Sequence, residues 1–209
     1  MSSFELIPAV ELDSATLKEL GLAAYSHAEV SAFLASPNLL SALVDHHVSS
    51  YDTFEVARSE DFVPPITSFC GGLVLKIDGE TIIEPGCCAD LSDVTNWWEV
   101  AKYRGAERKR FWVGHPEYEA VYKEEKIAIF YAEDAEWGAM YDRQVPLVML
   151  EPDLLESAIS DAFAIQDKLA EALAPLVGEK LTHSVEEVCR SLAGVYHRLD
   201  EFPSWGTPH

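Results

Sequence analysis

Cysteine, histidine and tryptophan crowd the stretch between Cys70 and Pro116. It reads Cys70-Gly71-Gly72, an apolar run, Asp78-Gly79, then Glu84-Pro85-Gly86-Cys87-Cys88-Ala89-Asp90-Leu91, Trp97-Trp98 and finally Trp112-Val113-Gly114-His115-Pro116. A thiol becomes a nucleophile when a base takes its proton, and His115 is the nearest candidate base for Cys87 or Cys88. Zinc fits this set less well. Adjacent cysteines do not share one metal comfortably, and the remaining ligands would have to come from Asp90, His115 or the distant Cys70. The competing structural reading is a tight turn of small residues, because free cysteines most often serve as small buried hydrophobes. His115, between glycine and proline, is expected on a constrained turn at a strand end, where functional side chains often sit.

Two further groups carry chemistry. Asp45-His46-His47 closes a helical pattern, and adjacent histidines on a helix face different ways. Stabilisation of the helix C-terminus therefore accounts for them better than a metal does. Glu133, Asp134 and Glu136 surround Trp137, with Asp142 beyond. Carboxylates around an aromatic suit contact with a basic partner, so these five residues are the expected partner-binding set. There is no G-x-S-x-G, Walker A, G-x-G-x-x-G or H-E-x-x-H motif. No complete catalytic set is assigned; His115, Cys87 and Cys88 are the only candidates. No metal and no cofactor are expected.

The elements that would position these residues read as helices, then strands, then helices. Ser14 or Asp13 starts one helix, Ser26-x-x-Glu29 has capping-box spacing before Val30, and Ser36-Pro37 opens a third with Leu39, Leu40, Leu43 and Val44 inward. From residue 51 to 150 the pattern becomes strand-like. Asp78-Gly79 between apolar runs signals a hairpin. Gly71-Gly72 signals a bulge or a close backbone approach. Asp93 or Thr95 is expected to cap a helix carrying Trp97, Trp98 and Val100, and Gly105 to end it. Tyr118–Tyr122 and Ile127–Tyr131 form a second hairpin, and Val145–Leu150 a last strand. A helix from Pro152 ends at Pro175 and Gly178, and Ser184-x-x-Glu187 caps another. The expected fold is a single α+β domain over 1–209, with 1–50 helical, a mostly antiparallel central sheet over 51–150 and two helices over 151–200.

The chain has 209 residues and a net charge of -21. Residues 1–60 hold nine acids against two bases, and residues 132–209 hold fifteen against five, whereas the centre is nearly balanced. Such an excess argues against nucleic acid and against anionic membranes. It favours a basic protein partner, drawn in by long-range attraction. The N-terminus lacks a signal-peptide pattern and no apolar run reaches membrane-spanning length, so a cytoplasmic protein with reduced thiols is expected.

The run from Ile83 to Leu91, with Trp97-Trp98 and Trp112 to Pro116, resembles a pattern in uncharacterised bacterial proteins, some of them similar to SMI1/KNR4 (SUKH) immunity proteins. That resemblance covers about a third of the chain. It implies an α+β protein that binds a toxin, and no catalytic residues. The first functional expectation is therefore an acidic cytoplasmic bacterial binding protein of the immunity or antitoxin type that neutralises a basic, toxin-like partner. The alternative is a small-substrate enzyme using His115 with Cys87 or Cys88 beside a tryptophan-lined pocket.

Overall fold

The structure is a computed structural model that describes residues 3–12, 14–19, 27–50, 68–132, 144–177 and 184–195. The described chain is α+β, with two four-stranded antiparallel sheets rather than a single central one. The first has the order β2-β1-β3-β4, from β1 (Phe4–Glu11), β2 (His27–Glu29), β3 (Gly71–Ile77) and β4 (Glu80–Ile83). The second runs in sequence order through β5 (Lys109–Phe111), β6 (Tyr118–Lys123), β7 (Lys126–Tyr131) and β8 (Val148–Leu150). The helices are α1 (Ser14–Glu19), α2 (Val30–Leu34), α3 (Pro37–Ser50), α4 (Val94–Lys102), α5 (Pro152–Val177) and α6 (Val185–Leu192), with a 3-10 turn at Leu91–Asp93 before α4.

The expectation of an all-helical 1–50 is corrected. Phe4–Glu11 is a strand that pairs with the whole of β3, from Phe4↔Ile77 to Val10↔Gly71. Leu6 and Val10 share the inward face, reaching the core between the sheets and the helical core, while Ile7 and Ala9 on the other face are apolar too, so β1 presents no simple alternation to read. Pro8 also argues against a strand, since proline cannot donate to a ladder. It is tolerated because β2 pairs only with Ala9 to Glu11, leaving β1 with one partner at Pro8. His27–Glu29 is likewise a strand, so the capping box expected there is not formed, and Glu29 precedes α2 without a side-chain cap.

Two apolar clusters meet along α5. Its first half places Leu155, Ala158, Ile159 and Ala162 between the sheets, against Leu73, Leu75, Trp97, Ile127 and Ile129. Its second half places Leu169, Leu173 and Val177 against Phe33, Leu43, Val188 and Leu192. At 26 residues α5 is about 39 Å long, enough to reach both clusters. It runs on through Pro175, which was expected to end it. Gln166, fully buried where the clusters join, donates through Nε2 to the Leu91 carbonyl at 2.6 Å and the Ala193 carbonyl at 3.0 Å. One amide thus ties the 3-10 turn and the end of α6 to α5.

Several local expectations hold. Asp78 and Gly79, at φ 50° and 81°, turn β3 into β4. Ser36 Oγ accepts from the Leu39 amide at the start of α3, and Ser184 Oγ from the Glu187 amide at the start of α6. A side chain on Gly71, at φ 136°, would overlap the Ala9 carbonyl oxygen, the close backbone approach that the Gly-Gly pair signals. Asp93 is the N-cap of α4, as expected, but makes no side-chain capping bond to it; the capping box sits on the 3-10 turn, where Asp90 Oδ1 accepts from the Ser92 amide at 2.7 Å and Asp93 Oδ2 accepts from the Asp90 amide at 3.3 Å. α4 ends at Lys102, before Gly105.

Candidate functional site

The sequence places Cys87 and His115 28 residues apart, and the fold joins them. β4 leads into Pro85-Gly86-Cys87, and β5 leads into Val113-Gly114-His115. The Gly86 amide donates to the Val113 carbonyl at 2.8 Å, and Cys87 and His115 form an antiparallel bridge. The two segments approach so closely that only glycine fits. A Cβ on Gly86 would overlap the His115 carbonyl oxygen, and one on Gly114, at φ +87°, would lie 2.5 Å from the Gly86 carbonyl carbon. The bond between His115 and Pro116 is cis.

This clasp brings Cys87 Sγ to 3.7 Å from His115 Nδ1, within reach of a sulfur hydrogen bond. The imidazole stands edge-on to Trp112, with ring centroids 4.8 Å apart and an interplanar angle of 86°. Cys87 and Cys88 are both exposed. They occupy the centre of a turn closed by the Ala89 amide and the Gly86 carbonyl at 3.3 Å. Cys88 has φ 66°, a left-handed conformation that costs an ordinary residue about 1 kcal/mol or more. Its thiol is pushed above the usual range, first by the neighbouring Cys87 and then by slight desolvation, with the more distant Cys70 adding to the effect.

The tryptophans do not form the expected pocket wall. Trp97 is fully buried in the core between the sheets, against Phe111 at 5.5 Å. Trp98 lies under Lys102, whose ammonium is 4.4 Å from the ring centroid. Of these three, Trp112 touches the dyad. Among the described residues, no group of three or more histidine, cysteine or carboxylate side chains has the geometry to hold a metal ion.

Asp93 was read only as a helix cap, yet it is the most perturbed carboxyl near the clasp. It is buried, and its pKa rises from 3.8 to about 7 through desolvation and then the repulsion of Asp90. Asn96 Nδ2 donates both to Asp93 Oδ1 at 2.8 Å and to the Trp112 carbonyl at 2.9 Å, linking the cap of α4 to the histidine loop. His47 is also corrected. It is only 3% exposed and packs edge-on against Phe69 at 4.8 Å, so it is a core residue rather than a solvated helix-end charge. Burial, then the neighbouring His46, lowers its pKa to about 4.

The expected partner-binding residues Glu133, Asp134, Glu136, Trp137 and Asp142 lie outside the described residues. Two concave surfaces lie elsewhere. One, of about 490 Å³, sits on the outer face of the first sheet over Ile7, Ala9 and Val74, beside His27 and the Lys76–Glu29 ion pair at 3.0 Å. The other, of about 570 Å³, runs between α5 and α6. Ala170, Ala174, Val185 and Cys189 line it together with Asp167, Glu171, Glu186 and Arg190. Arg190 is already engaged, to Asp167 at 2.8 Å and to the Val195 carbonyl at 2.7 Å. Glu171 and Glu186 are exposed and have no cationic partner among the described residues. Among those residues, no helix is long and apolar enough to cross a membrane. No protein family, no curated protein and no solved structure matches the chain.

Proposed function

We propose that this chain is a binding protein that captures a basic partner protein, in the manner of an immunity or antitoxin protein. The carrying observation is the groove between α5 and α6, where small apolar side chains are accompanied by Asp167, Glu171 and Glu186, and the single arginine is tied to Asp167. A lysine- or arginine-bearing segment fits such a groove: its aliphatic stems cover the alanines and its charges meet the two unengaged glutamates. The rest of the surface agrees. Basic residues near the middle of the chain are already matched by carboxylates, as in Lys102–Glu156 at 2.7 Å, Arg110–Glu117 at 3.0 Å and Lys126–Glu151 at 2.9 Å, and the chain as a whole carries a net charge of -21. The partner in this proposal is toxin-like and is met in the cytoplasm. The acidic residues Glu133, Asp134, Glu136 and Asp142, with Trp137, are proposed to take part in the same contact.

Affinity capture from a lysate of the source cell, at low and at moderate salt, tests this reading with the wild type and a Glu171→Lys/Glu186→Lys variant. The expected result is a basic protein retained by the wild type at low salt, weakened by salt and lost with the charge reversals. Retention of no basic protein, or retention indifferent to both reversals, overturns it.

A further inference from the structure

The binding reading leaves the Cys87–Cys88–His115 clasp unused. We propose that Cys87 is a peroxide-reactive thiol, with His115 as its proton acceptor and Cys88 as the resolving thiol. Three independent features support this. The Cys87 Sγ–His115 Nδ1 separation of 3.7 Å allows direct proton transfer, and Trp112 packs against the imidazole edge-on. Both thiols are exposed, so a small oxidant reaches them without a pocket. Cys88 holds a left-handed turn position at φ 66°, where glycine would be less strained, directly beside Cys87 in the same turn. Accessible thiols beside a second, resolving cysteine are the arrangement on which reversible thiol oxidation depends.

The chemistry balances in two steps. His115 takes the Cys87 proton, and the thiolate sulfur attacks the terminal oxygen of a hydroperoxide. The S–O bond forms as the O–O bond breaks; the departing alkoxide or hydroxide takes the proton back from His115, giving an alcohol or water. Sulfur is oxidised by two electrons and the peroxide reduced by two. The Cys88 thiol then attacks the Cys87 sulfenic acid, forming a disulfide and releasing water. Hydrogen peroxide is the oxidant class that suits this surface, because it is neutral; anionic disulfides are repelled by a chain of charge -21. Neighbouring Cα atoms lie ~3.8 Å apart, below the usual disulfide range of about 4.4–6.8 Å, so the bond is strained and easily reduced. Cys189 is the internal control. It is buried, and burial pushes its thiol up to about 12.

The test uses the full chain and hydrogen peroxide, read by intact mass and peptide mapping. The wild type should lose the mass of two hydrogens, map a bond between Cys87 and Cys88, and recover fully with dithiothreitol. Cys88→Ser should stop at a sulfenic acid on Cys87, trapped by dimedone. His115→Ala should slow oxidation by roughly tenfold or more, while Cys189 stays a free thiol. A bond from Cys87 to Cys70, no sulfenic acid on Cys87 in Cys88→Ser, or a His115→Ala rate equal to wild type overturns the assignment. Both substituted side chains lie at exposed positions, and circular dichroism of each variant confirms that it remains folded.

Discussion

Replacing Asp93 by asparagine changes how stability depends on pH, and the size of the change follows from the structure. The Asp93 carboxyl is buried beside Asp90, which raises its pKa from 3.8 to about 7. Between those values the unfolded chain has released this proton while the folded chain still holds it. Raising the pH therefore favours the unfolded state, and Asp93's contribution is complete below about pH 4 and lost as the pH climbs through about 7. A shift of roughly three units corresponds to about 4 kcal/mol at most. Asparagine can still accept from Asn96, but its amide faces the Asp90 N–H, which costs a fixed amount at every pH. Urea denaturation of both proteins at half-unit steps from about pH 4 to 8 isolates the titration, because the other carboxylates cancel in the difference. The expected result is a difference that moves steadily in favour of Asp93→Asn as the pH rises, by a few kcal/mol in total. A difference flat within about 1 kcal/mol refutes the reasoning and means that Asp93 is ionised in the folded protein.

Two further substitutions probe the scaffold. Gly114→Ala adds a side chain at a left-handed position 2.5 Å from the Gly86 carbonyl carbon, so a loss of about 2–4 kcal/mol is expected in chemical denaturation; a loss below about 1 kcal/mol would show that the two loops can part freely. Gln166→Leu leaves the Leu91 and Ala193 carbonyls without their shared donor inside the core. A cost of about 2–4 kcal/mol is expected by the same measurement, and a neutral result would mean that the tie carries no stability.

Much of the fold was legible where local chemistry decides it. Asp78-Gly79 specifies a turn with two positive φ values, and Ser36-Pro37 and Ser184 specify helix starts, because the donors they satisfy lie within a turn of them. β1 was not legible. Its main partner β3 lies more than sixty residues away, and Ile7 and Ala9 on one face are as apolar as Leu6 and Val10 on the other, so no apolar–polar alternation survives. At the clasp, glycine and cysteine advertised an unusual backbone, but no spacing rule could reveal that Gly86 and Gly114 press against each other. Asp93 shows the converse: its helix-start position was readable, whereas its burial beside Asp90 depends on Asn96, Trp112 and the core above them. The tryptophan-lined pocket failed because Trp97 was needed to fill the space between the sheets.

The interior position of β1 has a consequence for synthesis. The strand Phe4–Glu11 is made early, yet its main partner, Gly71–Ile77, follows only after α1, β2, α2 and α3. Until Ile77 has left the ribosome, the strand carrying Leu6, Ile7, Ala9 and Val10 lacks the neighbour that pairs along most of its length. An unpaired apolar strand of this kind invites contact with other nascent chains. The first sheet is completed post hoc, by a later strand docking onto an earlier one, and a fragment that stops before Gly71 is expected to aggregate instead of folding.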